Sequence, residues 1–355
     1  MAGSLAGVFP VACRKPASAV RGNGNNASLA ESARTLDDSA TDDHPRYEAM
    51  TPNKSPQPAY VELARSGVLA KRDQELWALL ERCRLCPRQC EVNRLAGNSS
   101  VCHAADRLRV SSIMPHFGEE RPLVGRYGSG TVFFSHCNLR CCFCQNWETA
   151  HGGDGDDMDH RTLARAMMAL QARGCHNINL VTPTHVVPHF VRALCLAVAD
   201  GLRIPLVYNT GGYDNIDVIR LLDGIVDIYM PDFKFQDRTL SKNYCDGASD
   251  YPEVAEATIL EMHRQVGPLR TDPQGIAVRG LILRHLVMPN NQSGTDRFVR
   301  WVSRELGPHT YVNLMDQYRP AHRARDYPEI ARPLTDREWH QALEWSDEAG
   351  LTHLA

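Results

Sequence analysis

The chain has 355 residues, 43% of them hydrophobic and 23% charged, with a formal net charge of −3. That length holds one large domain or two of ordinary size, and the near-balance of charge offers no global attraction to nucleic acid or a membrane surface. No apolar run approaches the roughly 20 residues of a spanning helix, and no secretory apolar core opens the chain, so neither nucleic acid nor membrane is expected as a partner.

Residues 1–55, rich in Ala, Ser, Asn, Gly and Asp and without apolar periodicity, read as a disordered tail. Within residues 1–30, Arg14, Lys15 and Arg21 stand without any acid, which is the composition of a mitochondrial transit peptide. A solvated tail on a cytoplasmic protein is the preferred expectation, with the mitochondrial matrix as the alternative. Residues 56–125 read as a small Cys-rich module, 126–325 as the core, and 326–355 as a helical extension.

From residue 131 short apolar strands alternate with amphipathic helices. Strands are expected at 131–134, 177–181, 205–209, 225–230, 280–287 and 311–315. Helices are expected at 161–173, where Leu163, Met167 and Leu170 share a face, at 188–201 between an opening proline and a closing glycine, and at 215–222, 252–266 and 296–306. A last helix starts at the capping box Thr335 to Glu338. Six β-α repeats imply parallel strands with right-handed crossovers. The fold class is α/β, a partial (β/α)6 TIM-like barrel with a small N-terminal Cys-rich module; a doubly wound open sheet is the alternative.

The twelve cysteines are bunched, which suits metal ligation in a reducing compartment rather than disulfides. Cys137, Cys141 and Cys144 form C-x3-C-x2-C directly after the first strand. A four-iron cluster takes four thiolates; a loop offering three leaves one iron open, and S-adenosylmethionine (SAM) is the best-known occupant of such a site. A closed zinc site with His136 as fourth donor is the competing reading. Cys142 reads as a packing residue, and Cys13, Cys175, Cys195 and Cys245 as incidental or buried thiols. Upstream, Cys83, Cys86, Cys90 and Cys102 form C-x2-C-x3-C-x11-C, four thiols that suit either a tetrahedral metal or an auxiliary iron–sulfur cluster, with Arg84, Arg88 and Arg94 nearby to offset its charge.

Ligands of such folds sit at the C-terminal ends of the strands. Those positions carry Thr182 and Thr184, Asn209, Gly211 and Gly212, Asp232 and Lys234, and Arg284 and His285. Lys234 suits the SAM carboxylate, and Asp232 or Asn209 its ammonium. Gly211 and Gly212 allow close backbone approach, Phe143 offers a face to adenine, and His285, like His185, is either a ligand contact or a core histidine. His116, Glu119 and Glu120 read as a solvated loop.

The C-x3-C-x2-C motif, with Phe143 just before its last cysteine, resembles that of the radical SAM superfamily. The run from Cys83 through Arg94, CNLRCCFCQNWE at 137–148, VTPTHVVP at 181–188, YNTGGYD at 208–214, YMPDFK at 229–234 and NLMDQYRPAH at 313–322 resemble a group related to pyruvate formate-lyase activating enzymes. The resemblance covers roughly residues 80–350. It implies a [4Fe-4S] cluster on Cys137, Cys141 and Cys144, SAM on the open iron, a flavodoxin- or ferredoxin-like one-electron donor, and hydrogen abstraction from a protein or small-molecule substrate, in activating enzymes a backbone glycine of a glycyl-radical-type protein. The Gly-Gly-Glu-Pro segment common in activating enzymes is replaced by Val181-Thr182-Pro183-Thr184, so Thr182 or Thr184 is expected to contact SAM instead. An iron–sulfur carrier or scaffold without SAM chemistry is the alternative function.

Overall fold

A computed structural model describes residues 57–354; the expectations for the tail, including Cys13 and the transit-peptide composition, lie outside the described residues. The strands are β1 Leu108–His116, β2 Ser129–Phe134, β3 Asp156–Met158, β4 Ile178–Val181, β5 Leu206–Thr210, β6 Ile228–Pro231, β7 Arg270–Thr271, β8 Ala277–Leu286 and β9 Tyr311–Met315. The helices are α1 Ala59–Arg65, α2 Val68–Ala78, α3 Arg121–Val124, α4 Trp147–Ala150, α5 His160–Ala172, α6 Val187–Ala199, α7 Ile216–Leu221, α8 Arg238–Tyr244, α9 Tyr251–Val266, α10 Thr295–Glu305 and α11 Asp336–Glu348.

Strands β2, β4, β5, β6, β8 and β9 lie side by side in chain order, each parallel to the next. The order never reverses, so there is no switch point of the kind that defines a doubly wound sheet. A partial barrel is what remains, as the β-α repeats predict. Pairing aligns Val132, Leu180, Tyr208, Tyr229 and Leu281 in one row across five strands, and all five are buried. This row is the face on which the helices pack: Tyr208 lies against Phe190 of α6, and the Tyr229 hydroxyl donates to Gln265 of α9 at 2.7 Å.

The helices cover the outer face as their patterns require. Helix α5 buries Leu163, Met167 and Leu170 and is capped by Asp159, whose carboxylate accepts from Thr162 N–H at 2.6 Å. Helix α6 opens on Pro188 and stops before Gly201, which has φ +106. The Thr335–Glu338 capping box is fully formed at α11. Helices α1 and α2 dock on the same body: the Tyr60 hydroxyl donates to Ile204 O at 2.7 Å, and Arg192 pairs with Asp73 at 3.1 Å while stacking over Trp77. Asp227, buried at the start of β6, accepts from Leu206 N and Ala59 N, tying the α1 end to the sheet.

Strands β1, β3 and β7 have no counterpart in the sequence expectations. β1 pairs antiparallel with β2 and with β3, extending the sheet past the barrel's first edge. Its sequence, LRVSSIMPH, is bulged between Val110 and Ser112, so the alternation that marks a strand is broken in mid-run. β7 is two residues hydrogen-bonded back on β8.

Gly212 sits at φ +80, and a Cβ there would run into the Asp232 carbonyl oxygen and the Tyr251 hydroxyl. Gly212→Ala combines a strained backbone with a clash, and is expected to destabilise the fold by about 1–3 kcal/mol, read as a lower midpoint in urea unfolding.

Candidate active site

The loop after β2 turns back on itself through two residues in the left-handed region, His136 (φ 74) and Arg140 (φ 53). Its backbone is pinned on several sides. His136 N–H donates to Thr149 O at 2.9 Å, Cys142 N–H to Tyr244 O at 2.8 Å, Arg323 N–H to Cys142 O at 2.8 Å, and Cys144 N–H to Cys141 O at 3.2 Å. Leu139, buried beneath the loop, donates its N–H to Cys137 Sγ at 3.4 Å. Cys137, Cys141 and Cys144 all face one cavity of about 430 Å³ at the C-terminal ends of the parallel strands. Cys142 packs away from it, as expected for a packing residue. His136 is not among the cavity's lining residues; its ring lies beside Gly153 and His103, which removes the proposed fourth donor of a closed zinc site.

The same cavity is lined by Phe143, Thr182, Asn209, Gly211, Asp232 and Lys234, six of the nine residues assigned to cofactor contact from sequence. The others stand behind the rim. Thr184 is buried, with its hydroxyl 2.7 Å from Asp214 Oδ1; the hydroxyls of Thr210 and Tyr208 reach the same carboxylate at 2.7 and 2.9 Å. His285 is held between Phe233 O at 2.6 Å and Thr295 Oγ1 at 2.9 Å and stacks on Phe298. Gly212 serves the turn described above. Thr182 is in the left-handed region (φ 57), an outlier for a β-branched side chain, and its N–H donates to Asn209 O at 2.8 Å.

A chain of charge runs along one wall. Lys234 Nζ is 2.6 Å from Asp232 Oδ2, Arg284 Nε is 2.8 Å from Asp232 Oδ1, and Arg284 Nη2 donates to Asn209 Oδ1 at 2.6 Å. Arg284 Nη1 lies 3.7 Å from Glu119 and 3.8 Å from Glu120. Burial alone would raise Asp232, but Arg284 and Lys234 outweigh it and hold the carboxyl below its ordinary value. Lys234 is raised: its burial is overcome by Asp232 and Cys141. Burial pushes Glu119 up to about 7 against the pull of Arg284. Glu119 and Glu120 are therefore not a solvated loop. They close the far end of the network, with side chains 9% and 3% exposed.

Other contributors were not legible in sequence. Tyr251 OH lies 2.9 Å from the carbonyls of both Gly211 and Asp232 and accepts from Lys234 N–H at 2.9 Å, fixing two strand ends together. Cys245 is buried with its sulfur 3.5 Å from Cys141 Sγ. Its thiol hydrogen bond is the main cause that lowers Cys141 from the ordinary thiol value. Burial raises Cys137, and burial with the neighbouring thiols pushes Cys144 up to about 12. Thiols bound to a cation release their protons to solvent, and the set fits iron: free sulfurs on one loop, a shared cavity, and a buried ammonium opposite. As the side chains stand among the described residues, no three Cys, His, Asp or Glu groups close on a single ion.

Residues 131–259 match the family model of the Radical SAM superfamily. Domains of this superfamily bind a [4Fe-4S] cluster and SAM and require an electron donor and a substrate. The chain is 29% identical over 282 residues to the uncharacterized protein MJ0674 of Methanocaldococcus jannaschii, covering 77% of this chain and 76% of that one. Two solved structures are similar in part. Methylornithine synthase (PylB) has a TM-score of 0.38 and 13% identity over 62% of this chain and 68% of its own. TYW1 with a lysine-pyruvate adduct bound has a TM-score of 0.38 and 10% identity over 61% of this chain and 73% of its own. Among the described residues no helix is long and apolar enough to cross a membrane.

Glu119 yields a pH signature. The folded protein keeps the Glu119 proton up to about pH 7, whereas the unfolded chain releases it near 4.5. The folded state thus binds more protons in that window, and stability falls as pH rises from 4.5 through 7. Glu119→Gln is expected to remove that part of the decline in urea unfolding of the metal-free protein. Asp227, also raised to about 7 by burial, keeps its own slope in both proteins, so the difference isolates Glu119.

Proposed function

We propose that this protein is a radical SAM enzyme whose [4Fe-4S] cluster is held by Cys137, Cys141 and Cys144, and that it removes hydrogen from a substrate lying over the barrel rim. The observation that carries this reading is convergence: three free thiols and a buried ammonium–carboxylate–guanidinium chain share one cavity. Three cysteines leave one iron of four without a protein ligand, and the chemistry supplied there is one-electron reductive cleavage of SAM to methionine and a 5′-deoxyadenosyl radical.

The protein's own work is binding, orientation and exclusion of water. Lys234, kept charged by Asp232, offers its ammonium to the SAM carboxylate. Asn209 Oδ1 and Asp232 accept from the SAM ammonium. Gly211, with no side chain at the rim, admits the ligand close to the backbone, and Thr182 presents its hydroxyl from a strained turn. Phe143, edge-on to Phe235 at 5.9 Å, gives the adenine an apolar wall. Thr184, Gly212 and His285 act behind these groups, fixing the strand ends that carry them. In this reading residues 126–325 are the catalytic core, 56–125 a Cys-rich module and 326–355 a helical extension.

For the substrate we favour a protein, the glycyl-radical type that the sequence resemblance implies. Phe117 is 63% exposed between His116 and Gly118, which both line the cavity, and an exposed aromatic at a site mouth suits protein contact. The electron donor would be flavodoxin- or ferredoxin-like.

Anaerobically reconstituted protein given dithionite and SAM should release 5′-deoxyadenosine, and Cys141→Ala should not. An intact cluster that yields no 5′-deoxyadenosine in the parent protein would leave an electron carrier as the better reading. Lys234→Met should weaken SAM binding ~30-fold in equilibrium dialysis, on the order of 2 kcal/mol for loss of a buried charge partner; unchanged affinity would remove Lys234 from the site.

A further inference from the structure

The four upstream cysteines meet in space. Cys83, Cys86, Cys90 and Cys102 line one small cavity together with Arg94 and His185, and all four are free thiols. The backbone around them is tightly folded. Cys83 N–H donates to Val92 O and Glu91 N–H to Cys83 O, both at 3.0 Å, and Gln89 N–H donates to Cys86 O at 3.0 Å. Gln89, Glu91 and His103, each next to a cysteine, are in the left-handed region with φ of 40, 56 and 56, conformations that persist only where surrounding structure dictates them.

Arg94 supplies a second, independent observation. It is 1% exposed, donates through Nε to Ala105 O at 2.9 Å and through Nη1 to His185 O at 2.6 Å, and keeps Nη2 buried without a partner. It forms no ion pair among the described residues. His185 also has Nδ1 buried without a partner. A buried guanidinium beside four thiols and without a carboxylate partner lacks the negative charge that burial demands.

We infer that Cys83, Cys86, Cys90 and Cys102 bind a single tetrahedral divalent metal ion of the zinc class. Binding exchanges four thiol protons for one ion and leaves a centre of net charge −2, with the Arg94 guanidinium beside it. The space among the side chains is about 10 Å³, about that of one water, against about 430 Å³ at the barrel rim. A single ion demands less displacement of these sulfurs than an eight-atom iron–sulfur cube, although the sulfurs must still rotate inward to close on it. The centre would order the residues that hold the radical loop. Arg88, between Cys86 and Cys90, donates to Asn138 O at 3.1 Å, Cys245 O at 2.9 Å and Asp246 O at 2.6 Å, and His185 Nε2 contacts Ser135 O at 2.8 Å.

The test is metal analysis and zinc-edge X-ray absorption on the full chain, purified anaerobically and reconstituted with iron. The expected result is about one zinc per chain with a shell of four sulfurs at about 2.3 Å, retained in Cys141→Ala when the rim cluster is lost. A Cys83→Ser/Cys102→Ser variant should lose the zinc and keep the rim iron. Cobalt exchange into the parent protein, which needs no variant to fold, should give the intense visible bands of tetrahedral cobalt thiolate. A second complement of about four irons with no zinc, zinc with oxygen or nitrogen neighbours only, no metal beyond the rim cluster, or zinc retained in the double variant would each overturn the assignment. Because zinc and iron are read separately, this outcome is independent of the rim chemistry.

Discussion

Buried negative charge must be matched by buried positive charge, and this constraint organises both cysteine groups. At the rim, three thiols crowd one loop, where burial and mutual repulsion hold Cys137 and Cys144 protonated. Lys234 and Arg284 supply the fixed cations, and Asp232 between them keeps both charged and in place. A buried pair left incomplete is strongly destabilising, so Lys234, Asp232 and Arg284 hold one another in place, with Glu119 and Glu120 on the far side of Arg284. Behind the loop, Arg94 is the buried cation beside the other four thiols.

The fold turns that constraint into geometry. Parallel strands in unbroken order bring all their C-terminal ends to one edge, so groups from the ends of β2, β4, β5, β6 and β8 reach one cavity without long loops. Tyr251 and Asp214 then lock neighbouring strand ends through hydroxyl and carboxylate contacts. Positional precision of this kind would matter for a carbon radical, because misalignment offers it other C–H bonds than the intended one.

Much of this was legible in the sequence. Short apolar runs, helix faces and caps are local signals, and each of the six expected parallel strands and the Thr335–Glu338 box is found in place. The cysteine spacing and the polar residues after each strand located the rim because strand direction alone dictates which end they occupy. Long-range relations were not legible. Nothing local marks Cys245 as the neighbour of Cys141, Tyr251 as a brace, or Glu119 and Glu120 as partners of Arg284, since those contacts exist only once distant segments are folded together. Strand β1 was hidden by its bulge. Thr184 follows β4 and His285 lies within β8, yet neither lines the cavity: the 3-10 turn at Thr184–Val186 buries Thr184, and His285, one residue from Arg284, points to the opposite face of its strand, onto Phe298 of α10.

The central claim is that one iron of the rim cluster has no protein ligand. Mössbauer spectra of reconstituted protein, with and without SAM, test it directly. The account predicts that one iron in four changes its parameters when SAM is added and the other three do not. Four irons that stay alike and indifferent to SAM would contradict it, and would point to a fourth thiolate, with Cys245 the nearest sulfur to supply it.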